Sequence, residues 1–185
     1  MPKILHLVRH AQGLHNLPPQ EENSKKHDPP LTTQGELDCL VLRDSFPHHD
    51  KIQLICASPL RRTLQTASLV FQPLIERGMK ILAVPEAQEG WKTAANTGST
   101  LGLMKAEFGS DDFDWSLMND GWEVKEGANG PDPASLRKRA IRLLTWLDSR
   151  VENEIALVGH GYFFQYLTGG VDENGEQTGA SSISA

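Results

Sequence analysis

The sequence predicts an α/β fold: a mostly parallel central sheet flanked by helices on both faces, with an inserted flap. Two observations carry that expectation. Four short apolar runs, at 3–9, 53–57, 80–84 and 154–158, lean towards β-structure and are unbroken enough to suit strands buried on both faces. Segments with helical periodicity or helix-start signals lie between them, and strands alternating with helices imply a parallel sheet.

Lys3-Ile-Leu-His-Leu-Val-Arg9 is the first strand and ends on His10. Residues 11–30 have no periodicity, and Pro18, Pro19, Pro29 and Pro30 enclose a charged run, so this stretch reads as a long surface loop of the kind that carries function. Thr32 or Thr33 can cap a helix reaching about Phe46. Glu36, three residues after Thr33, would complete a capping box, and Pro47 stops the helix. The second strand, Gln53 to Ala57, is followed by Ser58-Pro59, an N-cap and first-turn proline for a helix to about Arg77. Lys80 to Val84 is the third strand. Residues 85–100 are irregular and 101–108 can form a short helix. Residues 109–132 mix Gly, Asp and Trp without pattern, and about 91–130 reads as the inserted lid or flap. Leu136, Ala140, Leu143, Leu144 and Leu147 form one stripe of an amphipathic helix from Pro133 to about Glu152. Glu154 to Val158 is the last clear strand and runs into Gly159-His160-Gly161. The small-residue tail 179–185 reads as frayed. His10 and His160 both fall at the carboxyl end of a strand, where open α/β sheets hold their ligands.

The length of 185 residues fits one domain, 1–185, with a proper core. No apolar run approaches a membrane span, and Met1-Pro2-Lys3 leads straight into a strand rather than a signal sequence, so a cytoplasmic protein is expected. The formal net charge of −6 argues against a nucleic-acid-binding surface, but a local cluster of cations can still hold a small anion. Cys39 and Cys56 lie in apolar stretches without metal-type spacing and read as small buried hydrophobes. His48-His49-Asp50 reads as an exposed turn rather than a metal site, and His6 as a hydrogen-bonded core histidine. Trp91, Trp115 and Trp122 can either wall a pocket or pack a lid. No metal and no cofactor are expected. Oligomeric state leaves no mark in the sequence.

Four segments carry the chemistry: Leu7-Val-Arg-His-Ala-Gln-Gly-Leu-His-Asn16, Ala57-Ser-Pro-Leu-Arg-Arg-Thr-Leu-Gln-Thr-Ala67, Pro85-Glu-Ala-Gln-Glu89 and Val158-Gly-His-Gly161. Their residue types suit phosphoryl transfer. Imidazole is a nucleophile partly unprotonated near neutral pH, and arginine forks match the geometry of phosphoryl oxygens. In identity and order the four segments resemble the motifs of the histidine phosphatase superfamily, also called phosphoglycerate-mutase-like, over residues 3 to about 168. The resemblance implies a phosphoric monoester hydrolase of the histidine acid phosphatase type, acting on a small phosphorylated or otherwise anionic metabolite. His10 is then the nucleophile that takes the phosphoryl group, and Arg9, Arg62 and His160 hold its oxygens. Asn16 adds a neutral donor; from the same loop Gln12 is expected to contact substrate, and His15 either contacts phosphate or substrate or hydrogen-bonds backbone. Glu89 is the proton donor to the leaving alcohol, with Glu86 as its rival, and Arg61 is left at the rim.

Two positions depart from the family pattern: Ala11 stands where glycine is usual, and Gly159 where serine or threonine is usual. A mutase returning the phosphoryl group to an alcohol, a diverged member that only binds anions, and acid–base chemistry on a non-phosphate metabolite are the competing readings. A bisphosphorylated primer, binding without turnover, or loss of activity in His10→Ala without a trapped phosphoenzyme would mark each in turn.

Overall fold

The computed structural model describes residues 3–172 and 174–178; Met1, Pro2 and the tail 179–185 lie outside the described residues. In chain order the elements are β1 (Ile4–Arg9), α1 (Gln20–Asn23), α2 (Thr33–Ser45), β2 (Leu54–Ala57), α3 (Arg61–Val70), α4 (Gln72–Ile75), β3 (Ile81–Ala83), α5 (Leu101–Phe108), β4 (Phe113–Asp114), α6 (Pro133–Ser149), β5 (Glu154–Gly159) and α7 (Gly161–Thr168). The strands form one sheet in the order β1-β5-β2-β3-β4, and every pairing is parallel. The fold is therefore α/β, as the apolar runs predict.

Side chains alternate across the central strands and divide the core into two layers. Ile55, Ala57, Ile81, Ala83, Ala156 and Val158 point to a layer shared with α2, α3 and α5. Cys56, Leu82, Val84, Ile155 and Leu157 point to the other, against α6 and α7. Covering both faces explains why these strands read as continuous aliphatic runs. Phe71, Phe163 and Phe164 are wholly buried in these layers, each contributing about 1.5–3 kcal/mol of transfer free energy. The two thiols are buried and free, as expected.

Several helix boundaries differ from the sequence reading, for local reasons. Thr32 is the N-cap of α2, its hydroxyl accepting from Gly35 N–H at 3.0 Å, so Glu36 falls one position too late to close a capping box. Gly35 stands where a Cβ would come within 2.2 Å of the Gln12 carbonyl oxygen, which ties α2 to the loop after β1. The third helix starts after Leu60, not at Ser58, because the Ser58 hydroxyl is engaged by His160 at 2.8 Å. It also breaks at Phe71; Pro73, lacking an N–H, sits in the first turn of the short α4 that follows. The sixth helix ends at Ser149 rather than Glu152.

Three elements lack a sequence signal, the first being α1, a single turn inside the 11–30 loop. β4 is only two residues long, and α7 begins on glycine with no side-chain cap. Within 91–130, Met104, Phe113, Trp115, Met118 and Trp122 are buried in the same layer as α2 and α3. Residues 115–132, between β4 and α6, hold no helix longer than a single 3-10 turn.

Candidate active site

β1 and β5 are neighbours in a register that sets Arg9 beside Gly159, and His10 N–H donates to the Gly159 carbonyl at 2.9 Å. The sheet thereby brings together two histidines 150 positions apart in sequence, with ring centroids 5.2 Å from each other. The 3-10 turn Leu14–Asn16 carries His15 to 5.4 Å from His10 on another side. Arg62 enters from the first turn of α3, which follows the carboxyl end of β2.

His10 is buried, and its Nδ1 lies 2.7 Å from the Ala11 carbonyl oxygen. A carbonyl only accepts, so Nδ1 carries the proton and the Nε2 lone pair is free. Burial, and after it the Arg62 guanidinium, hold His10 well below the ordinary imidazole value. The ring is therefore neutral at pH 7 in the tautomer that leaves Nε2 nucleophilic.

Arg62 is completely buried. It donates to the Ala95 carbonyl at 2.7 Å, to Asn96 Oδ1 at 2.9 Å and to His160 Nδ1 at 3.2 Å, while its Nε meets no acceptor. Because guanidinium only donates, His160 Nδ1 must accept, and its proton sits on Nε2 and goes to Ser58 Oγ at 2.8 Å. Burial, then Arg62, keeps His160 well below its ordinary value as well. Asp28 fixes the start of α3 from a distance. Its buried carboxylate accepts from Arg61 N–H at 2.9 Å and from Ser99 N–H at 3.2 Å.

Arg9 is exposed and its stem lies against Gly161. It shares a hollow of about 560 Å³ with His10, Gln12 and Asn16 on one side and Val41 and Leu42 of α2 on the other. Gln12 and Asn16 are partly committed already: Gln12 Oε1 accepts from Thr32 Oγ1 at 2.8 Å, and Asn16 Oδ1 from Gly13 N–H at 2.9 Å. Burial, Arg62 and Arg9 push His15 down to about 4, and its Nδ1 is buried without a partner. Arg61 pairs with Glu107 at 2.7 Å, away from this group.

Glu89 follows the 3-10 turn Pro85–Ala87 after β3, is 8% exposed, and accepts from Gly90 N–H at 2.7 Å. Its charge acts on Arg62, Arg139 and Lys125 alike. Glu86 instead lines a separate hollow with Arg142 and Trp146 against α6. Arg62, His160 and Glu89 do not line the hollow beside His10.

Ser58, Asp28, Asn96 and Lys125 belong to this network although the sequence reading did not assign them roles in it. Ser58 lies inside the Ala57–Ala67 segment; the other three sit in irregular stretches, where only the tertiary fold identifies their partners. Of the tryptophans, Trp115 and Trp122 are buried, whereas Trp91 is 54% exposed and stacks on Tyr162 at 4.6 Å. His6 hydrogen-bonds Glu154 at 3.0 Å. His48 and His49 are half-buried against Phe46 rather than exposed, and among the described residues no group of three or more His, Cys, Asp or Glu could hold a metal ion. No described helix is long and apolar enough to cross a membrane.

The profile of the histidine phosphatase superfamily, branch 1, matches residues 5–179. A protein of Schizosaccharomyces pombe named "Probable phosphatase" is 28% identical over 163 residues, covering 86% of this chain and 74% of that one. Phosphoglycerate mutase-like protein 1 of Arabidopsis thaliana is 32% identical over 200 residues, covering 89% of this chain and 71% of its own. Among solved structures, the ecdysone phosphate phosphatase of Bombix mori in complex with tungstate superposes with a TM-score of 0.63 at 13% identity. It covers 89% of this chain and 75% of that one, a likeness of fold.

Proposed function

Since the chain belongs to the histidine phosphatase superfamily, we propose that it hydrolyses a small phosphomonoester without a metal, through a phosphohistidine at His10. The observation that carries this reading is the state of His10: a neutral ring whose Nδ1–H is committed to the Ala11 carbonyl, leaving Nε2 to attack phosphorus. Attack forms the N–P bond as the ester P–O bond breaks, and the departing alkoxide takes a proton from Glu89. Water, giving its proton back to Glu89, then cleaves the N–P bond and releases phosphate.

Arg9 from the rim of the hollow and Arg62 from behind His10 supply permanent positive charge to the phosphoryl oxygens, and the Arg62 Nε is a buried donor that no acceptor yet uses. For His160 to donate to the same group, its Nδ1 must gain a proton and give up accepting from Arg62, a change that a dianion beside it favours. Asn16, Gln12 and His15 border the nucleophile and contact substrate.

Glu89 is preferred to Glu86 as the acid because it shares the electrostatic environment of Arg62, whereas Glu86 faces the hollow against α6. A relative named for mutase likeness keeps phosphoryl return to an alcohol as the second reading.

The test is steady-state hydrolysis in EDTA, of p-nitrophenyl phosphate by the wild type and His10→Ala, and of phenyl phosphate, whose leaving group needs a proton, by the wild type and Glu86→Gln. Turnover that disappears with His10 and survives in Glu86→Gln supports the reading. Turnover lost in EDTA, or retained by His10→Ala, overturns it. No turnover by folded wild type without a bisphosphorylated primer favours the mutase.

A further inference from the structure

We propose that Lys125 is a positioning residue that latches the 115–132 segment onto the Gln88-Glu89 loop, so that Glu89 faces the leaving group only when this segment is seated. The inference rests on the assignment of Glu89 as the proton donor. Lys125 comes from an irregular stretch, yet it is only 3% exposed. Its ammonium donates to Gln88 Oε1 at 2.8 Å and to the main-chain carbonyl of Glu89 at 2.6 Å. Gln88, itself fully buried, returns a bond to the same segment, Nε2 donating to the Trp122 carbonyl at 3.3 Å. Trp122 is anchored in turn by Nε1–H to the Ser99 carbonyl at 3.1 Å. On the other side of the acid loop, Arg139 of α6 lies over the Phe163 ring at 4.3 Å and directs Nη2 to the Glu89 carbonyl at 3.5 Å. The backbone of the acid is thus held from two directions, and one of the two holders belongs to a segment without regular helix or strand.

A buried amine is a costly way to tie a loop to a body, since an apolar side chain would do so without desolvating a charge. Its position explains the choice. The groups acting on Lys125 are Glu89 on the acid loop, Arg139 on α6 and Arg62 on α3, and Lys125 in turn acts on His160 after β5. Burial first, then Arg139 and Arg62, push Lys125 down to about 7, with Glu89 opposing them. A neutral amine keeps two N–H donors, enough for both acceptors, so the latch holds on either side of that value. The lowered value also fixes the direction of pH dependence. The seated form binds fewer protons than the released form between pH 7 and 10.5, so seating strengthens as pH rises through that window.

The experiment compares kcat/KM for p-nitrophenyl phosphate, whose leaving group departs without a proton, with phenyl phosphate, whose leaving group needs one, in the wild type, Lys125→Met and Glu89→Gln. Glu89→Gln should lose about 100-fold on phenyl phosphate and far less on p-nitrophenyl phosphate. Lys125→Met should show the same selectivity at about tenfold, because the donor is displaced rather than removed. Equal losses on both substrates in Lys125→Met, with Glu89→Gln selective, would refute the latch and leave the acid in place. Equal losses in Glu89→Gln would refute the assignment of the acid, and the latch with it. Should Lys125→Met fail to fold, Gln88→Met removes one of the two acceptors, and a selective loss of smaller size is required of it; a uniform loss there refutes the latch equally.

Discussion

His10 can act as a nucleophile only while its ring is uncharged, and its surroundings enforce that. Burial and Arg62 hold His10 well below the ordinary value, as burial and Arg62 also do for His160. In an NMR pH titration of the folded protein, the His10 imidazole should stay neutral as pH falls from 7 through 6.5; a midpoint at or above 6.5 would contradict the geometry. The same depression sets the acid stability. His15 has a folded value of about 4 against 6.5 unfolded, so its contribution is complete above pH 6.5 and is lost as pH falls towards 4. Urea midpoints should therefore fall across that window, and less steeply in His15→Gln. Asp28 is a structural counterpart, at a φ of 40° and with two N–H groups on its buried carboxylate. Asp28→Ala orphans both donors and should cost on the order of 2–4 kcal/mol in urea unfolding; a loss below about 1 kcal/mol would show that the donors find other partners. His10, Arg62 and His160 were legible because each sits in a short motif. Asp28 and Lys125 were not, because they sit in segments without periodicity and their partners lie more than 30 residues away.

Strands β2, β3 and β5 were readable because burial on both faces leaves an aliphatic run, a signal that survives without knowledge of the partners; β1, at the sheet edge and only half-buried, keeps the run apart from His6. The start of α3 was misread because Ser58-Pro59 has the composition of a helix cap while the Ser58 hydroxyl answers to a histidine about 100 residues later. The junction of β5 and α7 explains one departure from the family pattern. A Cβ on Gly159 would stand 2.6 Å from the Phe164 ring, so a serine there and this phenylalanine compete for one space. Gly159→Ser should destabilise the fold by about 1–3 kcal/mol. In a double-mutant cycle read by urea denaturation, Phe164→Leu should recover part of that loss. Strict additivity of the two changes would contradict the packing account.

Across the molecule, the parallel order β1-β5-β2 gathers residues far apart in sequence at the carboxyl ends of the strands, which no local pattern reveals but four ordered motifs jointly imply. That end of the sheet buries three basic side chains against the two carboxyl groups of Glu89 and Asp28. Arg62, Arg139 and Lys125 are buried near Glu89, with Arg9 at the rim of the hollow beside His10. This is an arrangement ready for a phosphate dianion, although the chain as a whole carries a net charge of −6. The most direct measurement mixes the wild type rapidly with p-nitrophenyl phosphate, quenches in base, and maps the phosphate adduct by mass spectrometry. An acid-labile phosphoryl group on His10, absent in His10→Ala and formed in EDTA, is the predicted result. An adduct on another residue, or full turnover by His10→Ala with no adduct at all, would contradict the account.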